Sequence, residues 1–99
     1  MPLFVAIFED HLDRKAVRDG AMNAHLAWLD RHRSEVRMAG ALRPEPDGVA
    51  TGGLWIIEAA TRAEAERICT EDPFFKGGLR KSFKLESWSR GFPEEPVTL

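Results

Sequence analysis

Three histidines are the side chains of this sequence best suited to acid–base chemistry at neutral pH. A lone histidine is usually structural or exposed, but His25 has apolar neighbours that include Leu26 and Trp28, so its ring is expected to be partly buried. A partly buried imidazole needs a hydrogen-bond partner. If that partner is a carboxylate, the imidazole becomes an oriented general base. His25 is therefore a better candidate for chemistry than His11 or His32.

Asp72 is the carboxylate that the sequence offers as this partner. It precedes Pro73, and an Asp-Pro pair is common at the N-cap and first position of a helix, so a helix cap alone would explain it. The two roles are compatible, because one carboxylate oxygen can cap the helix while the other accepts a hydrogen bond from histidine. From these residues alone, both interpretations stay open.

Other chemistries lack a matching pattern. His25 and His32 are seven residues apart with no local third ligand, so no metal site is expected. The glycine pairs at 52–53 and 77–78 lack the lysine and the helix context of a phosphate-binding loop. Cys69 has no cysteine-nucleophile motif around it and is predicted to be a small, inert core residue. No cofactor is implied.

Length and charge favour one small cytoplasmic domain. The 99 residues are enough for one domain, predicted over 1–99 with a C-terminal tail at 91–99. The net charge of −2 gives no basic field for nucleic acid, and no apolar run approaches the roughly 20 residues of a membrane span. The N-terminus lacks the basic region of a signal peptide. A single cysteine cannot form an internal disulfide, which favours a reducing compartment.

The hydrophobic pattern predicts two helices and four strands. Apolar or alternating runs predict the strands, and three- and four-residue spacing predicts the helices. A capping box of Thr61 and Glu64 starts the second helix, and Pro73 interrupts it. The segment 9–19 is interpreted as a loop with one or two helical turns, ended by Gly20. The predicted order along the chain is strand 3–8, helix 21–35, strand 36–42, strand 53–59, helix from 61 and strand 80–88.

This order predicts an α+β fold of the ferredoxin-like βαββαβ type. Right-handed crossovers then give a four-stranded antiparallel sheet with two helices on one face. The first and third strands are central in that sheet, and both are apolar on their two faces. Because the face without helices would meet water in a monomer, we expect a second copy of the chain to cover it in a homodimer.

Four short motifs together resemble the YciI-like (YCII-related) family over roughly residues 3–92. The motifs are widely spaced along the chain, which makes their combination more specific than any one of them. They are Ala24-His25-Leu26 with Trp28-Leu29, Ala39-Gly40, Thr61 with Ala63-Glu64-Ala65, and Asp72-Pro73-Phe74 followed by Gly77-Gly78-Leu79.

The resemblance implies a dimeric α+β barrel with a His–Asp dyad in a pocket between the sheet and the helices, which carries over onto His25 and Asp72. Some relatives act as dehydrochlorinases or lyases on ring substrates. This sequence departs from the family at Met22, where an arginine is usual, whereas Arg18 matches a second arginine position. Losing one arginine weakens the expected grip on an anionic substrate, which Arg18 or Arg43 could replace.

The function expected from these observations is a small enzyme-like domain with a general base. The dyad would abstract a proton from a small cyclic or acidic molecule in a lyase or isomerase type of reaction, without metal or cofactor. The alternative is a non-catalytic module that binds a metabolite or interacts with a larger enzyme. A third interpretation is a purely structural dimer with a vestigial pocket. An open cavity beside the histidine would distinguish the first two from the third.

Overall fold

The computed structural model describes residues 1–89 and residue 91, so all but one residue of the predicted tail lies outside the described part. None of the helices in this part is long and apolar enough to cross a membrane. The elements are β1 (Leu3–Asp10), α1 (Lys15–Arg31), β2 (Val36–Leu42), β3 (Gly52–Glu58), α2 (Arg62–Glu71), α3 (Pro73–Lys76) and β4 (Arg80–Trp88).

The four strands form one antiparallel sheet in the order β2-β3-β1-β4. β1 and β3 are the two central strands, and Ala6 of β1 lies opposite Trp55 of β3 and Leu85 of β4. This is the ferredoxin-like βαββαβ arrangement that the sequence predicted.

The hydrophobic core lies between one face of this sheet and the helices. Alternate residues of β1, from Phe4 to Phe8, point toward the helices and are buried. Phe8 packs edge-on against Trp55 with 4.6 Å between ring centroids, and Trp28 of α1 stacks on Trp55 at 5.5 Å. The core therefore extends directly from the central strands to the middle of α1.

The opposite face of the sheet carries apolar side chains with no helix over them. We call these residues the open face; they are Val5, Ile7, Met38, Leu54, Ile56 and Trp88, which the strand alternation and register place together. Ile7 is 40% exposed and Met38 49% exposed, so this face meets water in a single chain. Both faces of β1 and β3 are thus apolar, as predicted.

The first helix differs from its predicted bounds. The interpretation of segment 9–19 was wrong in its bounds: β1 continues to Asp10, and the helical turns expected in this segment start at Lys15 and continue through Gly20 as part of α1 instead of ending there. Gly20 lies inside this helix, and a Cβ there would have no atom within 4 Å, so the glycine is in open space. A mid-helix glycine costs about 1 kcal/mol, which the packing of the helix against the sheet can offset.

The second helical region follows its predicted signals closely. The backbone N–H of Glu64 donates to Thr61 Oγ1 at 3.2 Å, which confirms Thr61 as the N-cap of α2. The chain is extended at Asp72, with φ −60° and ψ 135°, and Pro73 then begins the one-turn helix α3. The break between α2 and α3 therefore places the Asp72 carboxylate at the start of a new helix.

Candidate functional site

His25 and Asp72 meet inside the molecule, although 47 positions separate them in the sequence. His25 lies in the middle of α1, and Asp72 lies at the α2–α3 junction, which packs against that helix. Nδ1 of His25 is 2.6 Å from Oδ1 of Asp72, and the two side chains are 9% and 0% exposed. The structure thus brings together the two residues that sequence reasoning paired.

The partner of Nδ1 determines the tautomer of the imidazole. An ionised carboxylate only accepts hydrogen bonds, so Nδ1 of His25 carries the hydrogen that it donates to Asp72. Nε2 makes no hydrogen bond to any described residue, and in the neutral ring this nitrogen carries the lone pair. The ring also stacks on Phe74 at 3.8 Å and 11°, which fixes its plane. The ring is therefore held in one orientation, and Nε2 has no hydrogen-bond partner among the described residues.

Asp72 serves the histidine and the helix with the same oxygen. Oδ1 accepts from His25 Nδ1 and also from the backbone N–H of Phe74 at 3.2 Å, as the N-cap of α3. The two roles, expected to fall on different oxygens, thus fall on the same one. The other oxygen, Oδ2, has no hydrogen bond in the described structure but lies 3.6 Å from Arg80 Nη2. Arg80 therefore supplies the positive charge nearest to this buried carboxylate.

Arg80 and Asp10 form a buried ion pair that sequence reasoning missed. Nη1 of Arg80 donates to Oδ1 of Asp10 at 2.8 Å, and the side chains are 4% and 2% exposed. The two residues are opposite each other across β1 and β4, just beyond a register shift at Glu9. The guanidinium also lies over the rings of Phe8, at 4.4 Å, and Phe74, at 5.2 Å. Arg80 thus links the carboxylates of Asp10 and Asp72.

The space for this guanidinium depends on Gly53. A Cβ at Gly53 would lie 3.4 Å from both terminal nitrogens of Arg80 and 3.2 Å from the carbonyl oxygen of Gly40. Larger side chains at this position would push the guanidinium away from Asp10. The glycine pair at 52–53, which matched no phosphate loop, therefore has a packing role beside the site.

A cavity of about 200 Å³ opens beside His25, between α1 and the β2–β3 half of the sheet. Its wall is largely apolar, with two arginines among the polar groups. The lining residues that bear on function are Arg18, Met22, His25, Trp55, Phe74 and Arg80. The histidine is thus next to a cavity instead of being packed on all sides.

Arg18 is held more loosely than Arg80. Its Nη1 lies 3.7 Å from Asp10 Oδ2, its side chain is 21% exposed, and its guanidinium makes no hydrogen bond to a described residue. Met22, at the position where the family usually has an arginine, lines the same cavity. Arg43 is exposed, lies outside this cavity and donates to the carbonyl of Gly48. Of the two arginines considered as replacements, only Arg18 reaches the cavity.

The remaining candidates do not join this site. His32 donates from Nδ1 to the carbonyl oxygen of Trp28 at 2.6 Å, and His11 lines a different cavity. Within the described residues, no group of three or more His, Cys, Asp or Glu side chains could hold a metal ion. Cys69 is fully buried, and burial followed by the negative charge of Asp72 raises the pKa of its thiol to about 12.

This fold and site identify the class of the protein. The sequence model of the YCII-related domain matches residues 3–89, so the chain belongs to the YCII-related domain family. A comparison with curated protein sequences gave no match.

Among solved structures, the chain is similar to 5-chloro-2-hydroxyhydroquinone dehydrochlorinase (TftG) from Burkholderia phenoliruptrix AC1100, which was solved with 2,5-dihydroxybenzoquinone. The identity is 29%, the TM-score is 0.80, and the match covers 90% of this chain and 95% of that one. PA3566 from Pseudomonas aeruginosa shares the fold at 16% identity and a TM-score of 0.50, covering 90% and 93% of the two chains. A NIPSNAP domain protein from Burkholderia xenovorans shares the fold at 10% identity and a TM-score of 0.50, and the match covers 92% of this chain and 95% of that one.

Proposed function

We propose that this protein is a small lyase- or isomerase-type enzyme in which His25 is the general base and Asp72 orients it. The observation that carries the proposal is the 2.6 Å bond from His25, which lines a cavity of about 200 Å³, to the buried carboxylate of Asp72. A general base must reach the proton that it removes, and a ligand in this cavity would lie beside His25. The substrate is a small cyclic or acidic organic molecule.

The chemistry follows from the tautomer. Nε2 of His25 accepts a proton from the substrate, and the ring becomes an imidazolium that still donates to Asp72 from Nδ1. The carboxylate stabilises this cation through a charge-assisted hydrogen bond. In an elimination, the electron pair of the broken bond to hydrogen forms a new π bond while the leaving group departs with its own electron pair. Such a step needs neither an oxidant nor a reductant.

The similarity to TftG supports an elimination on a ring substrate. That protein is a dehydrochlorinase solved with a six-membered dihydroxyquinone. A cavity of about 150 Å³ is large enough for benzene, so the 200 Å³ cavity of this chain suits one substituted ring. The largely apolar wall of the cavity provides a surface on which such a substrate could pack.

The open face points to a homodimer as the working form. Val5, Ile7 and Leu54 lie on the face of the central strands that has no helix over it. A second copy placed face to face would remove this apolar surface from water, and two-fold dimers are the commonest way to do so. We further propose the cytoplasm as the compartment, because the single cysteine, Cys69, is a free buried thiol.

A non-catalytic binding module is the second candidate. It is favoured by the helix cap, in which Asp72 Oδ1 accepts from the backbone N–H of Phe74. This bond explains the carboxylate by a structural role, without catalysis. In such a module the same cavity binds a metabolite and the histidine only orients it. The two candidates differ in whether proton transfer to Nε2 is required for anything besides binding.

The test is chloride release from 5-chloro-2-hydroxyhydroquinone by wild type, His25→Gln and Asp72→Asn. We expect His25→Gln to lose about 10²–10⁴-fold in rate, as is usual when a general base is removed. His32→Gln is the matched control, because His32 is the C-cap of the same helix and also donates from Nδ1 at 2.6 Å, but outside the cavity. Its rate should equal that of the wild type.

Two outcomes would count against the enzyme. Equal rates for His25→Gln and the wild type would refute the role of His25 as the general base. A wild-type protein that binds the ring compound but releases no chloride from it, or from a panel of halogenated phenols, would favour the binding module. Thermal unfolding of each variant separates loss of chemistry from loss of fold.

A further inference from the structure

Arg80 lies between two buried carboxylates, and each of them has one oxygen in a hydrogen bond and one without. Oδ1 of Asp10 accepts from Nη1 of Arg80 at 2.8 Å. Oδ1 of Asp72 accepts from His25 Nδ1 instead, at 2.6 Å. The Oδ2 atoms of both aspartates are buried and have no hydrogen-bond partner in the described structure. Two anions are therefore buried beside one guanidinium, but only one of them receives its hydrogen bond.

The distances show how the charge of Arg80 is divided. Its Nη2 lies 3.6 Å from Oδ2 of Asp72, which is beyond hydrogen-bond distance but close enough for the two charges to interact. A hydrogen bond between them would offset more of the negative charge of Asp72. That negative charge is what stabilises a protonated His25. Asp72 thus has the charge of Arg80 nearby without its hydrogen bond.

The guanidinium is held in this position by its surroundings. The Arg80 side chain is 4% exposed, and its guanidinium lies over the rings of Phe8 and Phe74, 4.4 Å and 5.2 Å from their centroids. The ring of Phe74 also stacks on His25 at 3.8 Å. The guanidinium and the imidazole therefore lie against the same aromatic ring, in a region where the exclusion of water strengthens the interaction between charges.

We propose that Arg80 and Asp10 are positioning residues for the general base. Arg80 offsets part of the negative charge of Asp72, and Asp10 holds Arg80 out of a hydrogen bond with Asp72. The pair thereby sets how readily His25 takes up a proton, although neither residue transfers one. This inference rests on the proposed function, because it concerns the base of that site.

A general base has to be neutral before the reaction and must still gain from protonation during it. A buried Asp72 with no cation beside it would keep His25 protonated, so Nε2 would have no lone pair to accept a proton from the substrate. An Asp72 bonded to a guanidinium would give the imidazolium little stabilisation, and proton transfer would be slow. The observed arrangement lies between these extremes, which suits a base that works at neutral pH.

The charged side chains around the dyad form a balanced set of two anions and two cations, which are Asp10 of β1, Arg18 of α1, Arg80 of β4 and Asp72 between α2 and α3. Among the described residues that line the cavity, β2 and β3 contribute only uncharged side chains. Lys76 of α3 is exposed, and Glu71 of α2 is ion-paired with Arg67. The Cys69 thiol is neutral at pH 7, because burial and then the charge of Asp72 raise its pKa to about 12. One substitution in the balanced set therefore leaves one charge uncompensated.

The experiment measures the ratio of protonated to neutral His25 at neutral pH, from ¹H–¹⁵N spectra of the imidazole rings. Arg80→Met leaves Asp72 without its nearest cation, so a protonated His25 should take that place and the ratio should rise by at least about tenfold. Arg80→Lys keeps the charge and should recover part of this change. Asp10→Asn frees Arg80 to bond with Asp72, and the ratio should fall by at least about threefold.

The opposite signs separate control of charge from simple damage to the fold. Both substitutions break the same buried ion pair, and a loss of packing would act on His25 in the same direction in each. The pH profile of chloride release gives a second readout. Its acidic limb should move to higher pH in Arg80→Met and to lower pH in Asp10→Asn, because His25 acts as a base only in its neutral form.

Matched controls remove the same charges at exposed positions. Arg43→Met changes a loop arginine that lies outside the cavity, and Asp30→Asn changes an aspartate of α1 whose ion pair with Arg33 is exposed. Neither should alter the ratio. In an Asp72→Asn background, the effect of Asp10→Asn should be clearly smaller, because Arg80 then has no second carboxylate with which to bond.

The proposal is overturned if Asp10→Asn leaves the ratio unchanged, if the two substitutions shift it in the same direction, or if Asp10→Asn acts equally with and without the Asp72 carboxylate. Thermal unfolding checks that each variant is folded. Asp10→Asn preserves the shape of the side chain, so it tests the proposal even where Arg80→Met does not fold.

The spectra do not depend on turnover, which separates this inference from the proposed function. A wild type that shows the expected ratios in its variants but releases no chloride would refute the general-base function and leave the charge balance standing. Chloride release that depends on His25, together with unchanged ratios in the variants, would refute only the role of Arg80 and Asp10.

Discussion

His25 and His32 are seven residues apart, and the hydrogen-bond acceptor of the ring is what differs most between them. Each ring donates from Nδ1 to an oxygen at 2.6 Å, and each stacks on an aromatic ring, at 3.8 Å for Phe74 and 4.0 Å for Trp28. The acceptor of His25, however, is a buried carboxylate from a distant part of the chain. The acceptor of His32 is the neutral carbonyl of the previous helical turn.

This difference separates a structural histidine from a candidate base. A backbone carbonyl can fix a tautomer, but it offers no charge to stabilise an imidazolium, whereas Asp72 offers both. The Asp72 carboxylate lies beside the positive charge of Arg80, and Arg80 is ion-paired with Asp10. The interactions around His25 therefore extend to β1 and β4. Both ring contacts of His32, the hydrogen bond and the stacking, are to Trp28 of the preceding helix α1.

The largest expected effect comes from removing the cation of this network. Arg80→Met leaves Asp10 and Asp72 buried without their nearest positive charge, and should lower the free energy of unfolding by about 3–5 kcal/mol. The control is Arg67→Met, because Arg67 makes its ion pairs on an exposed helix surface, where solvent screening leaves such pairs little effect on stability. Urea unfolding measures both. Equal losses would mean that the network around His25 adds little stability.

The sequence predicted this network only in part, for physical reasons. The fold could be predicted because the apolar runs of β1 and β3 and the cap at Thr61 are local patterns that the structure retains. His25 and Asp72 could be paired because a buried imidazole needs an acceptor and the family motifs contain both. Gly20 misled the prediction of α1, since helix packing overrode a weak local preference.

Asp10 and Arg80 were missed because each reads as the polar end of a strand. Their burial depends on a register shift between β1 and β4, which cannot be predicted from the local sequence. One signal was present: Asp10 continues the alternation of Phe4, Ala6 and Phe8 and therefore points toward the helices. The position of Arg18 at the wall of the cavity likewise depends on tertiary packing and could not be read from spacing alone.

The second prediction concerns the acceptor itself. Asp72→Ala removes the cap of α3 and leaves the Nδ1–H of His25 without a partner, which should cost about 2–4 kcal/mol of unfolding free energy. Asp72→Asn keeps an acceptor oxygen of similar shape and should cost about 1–2 kcal/mol. Chemical denaturation gives both values. If Ala and Asn were equally destabilising, the hydrogen bonds of Oδ1 would not be what holds this junction.

The third prediction compares the two histidines directly. Both should be Nδ1–H tautomers in the neutral form, which two-dimensional ¹H–¹⁵N spectra of the imidazole rings can identify. His25→Gln should lower the unfolding free energy by about 1–3 kcal/mol, because the bond that it breaks has a charged acceptor. His32→Gln should cost about 1 kcal/mol, as expected for a neutral one. An Nε2–H tautomer at His25 would contradict its bond to Asp72.

The smallest effect at neutral pH is expected at Cys69, which lies one helical turn before Asp72 and reports on its charge. Burial first, then Asp72 and then Glu66 raise the pKa of this thiol from 9.0 to about 12. The raised value stabilises the folded state fully below pH 9, and this contribution is lost as the pH rises from 9 toward 12, because the unfolded chain ionises first. Thiolate absorbance against pH measures the titration.

Variants then assign the causes of this shift. Asp72→Asn should lower the pKa of Cys69 but leave it above 9.0, because burial is the larger cause. Glu66→Gln removes the same charge from an exposed position of α2 and should lower it less. Cys69→Ala should remove the loss of stability between pH 9 and 12 that the thiol causes in the wild type. A thiol that titrates near 9.0 in the folded wild type would mean that neither burial nor the Asp72 charge raises its pKa. The Asp72 carboxylate would then be exposed to water, which contradicts the buried pair of Asp72 and His25.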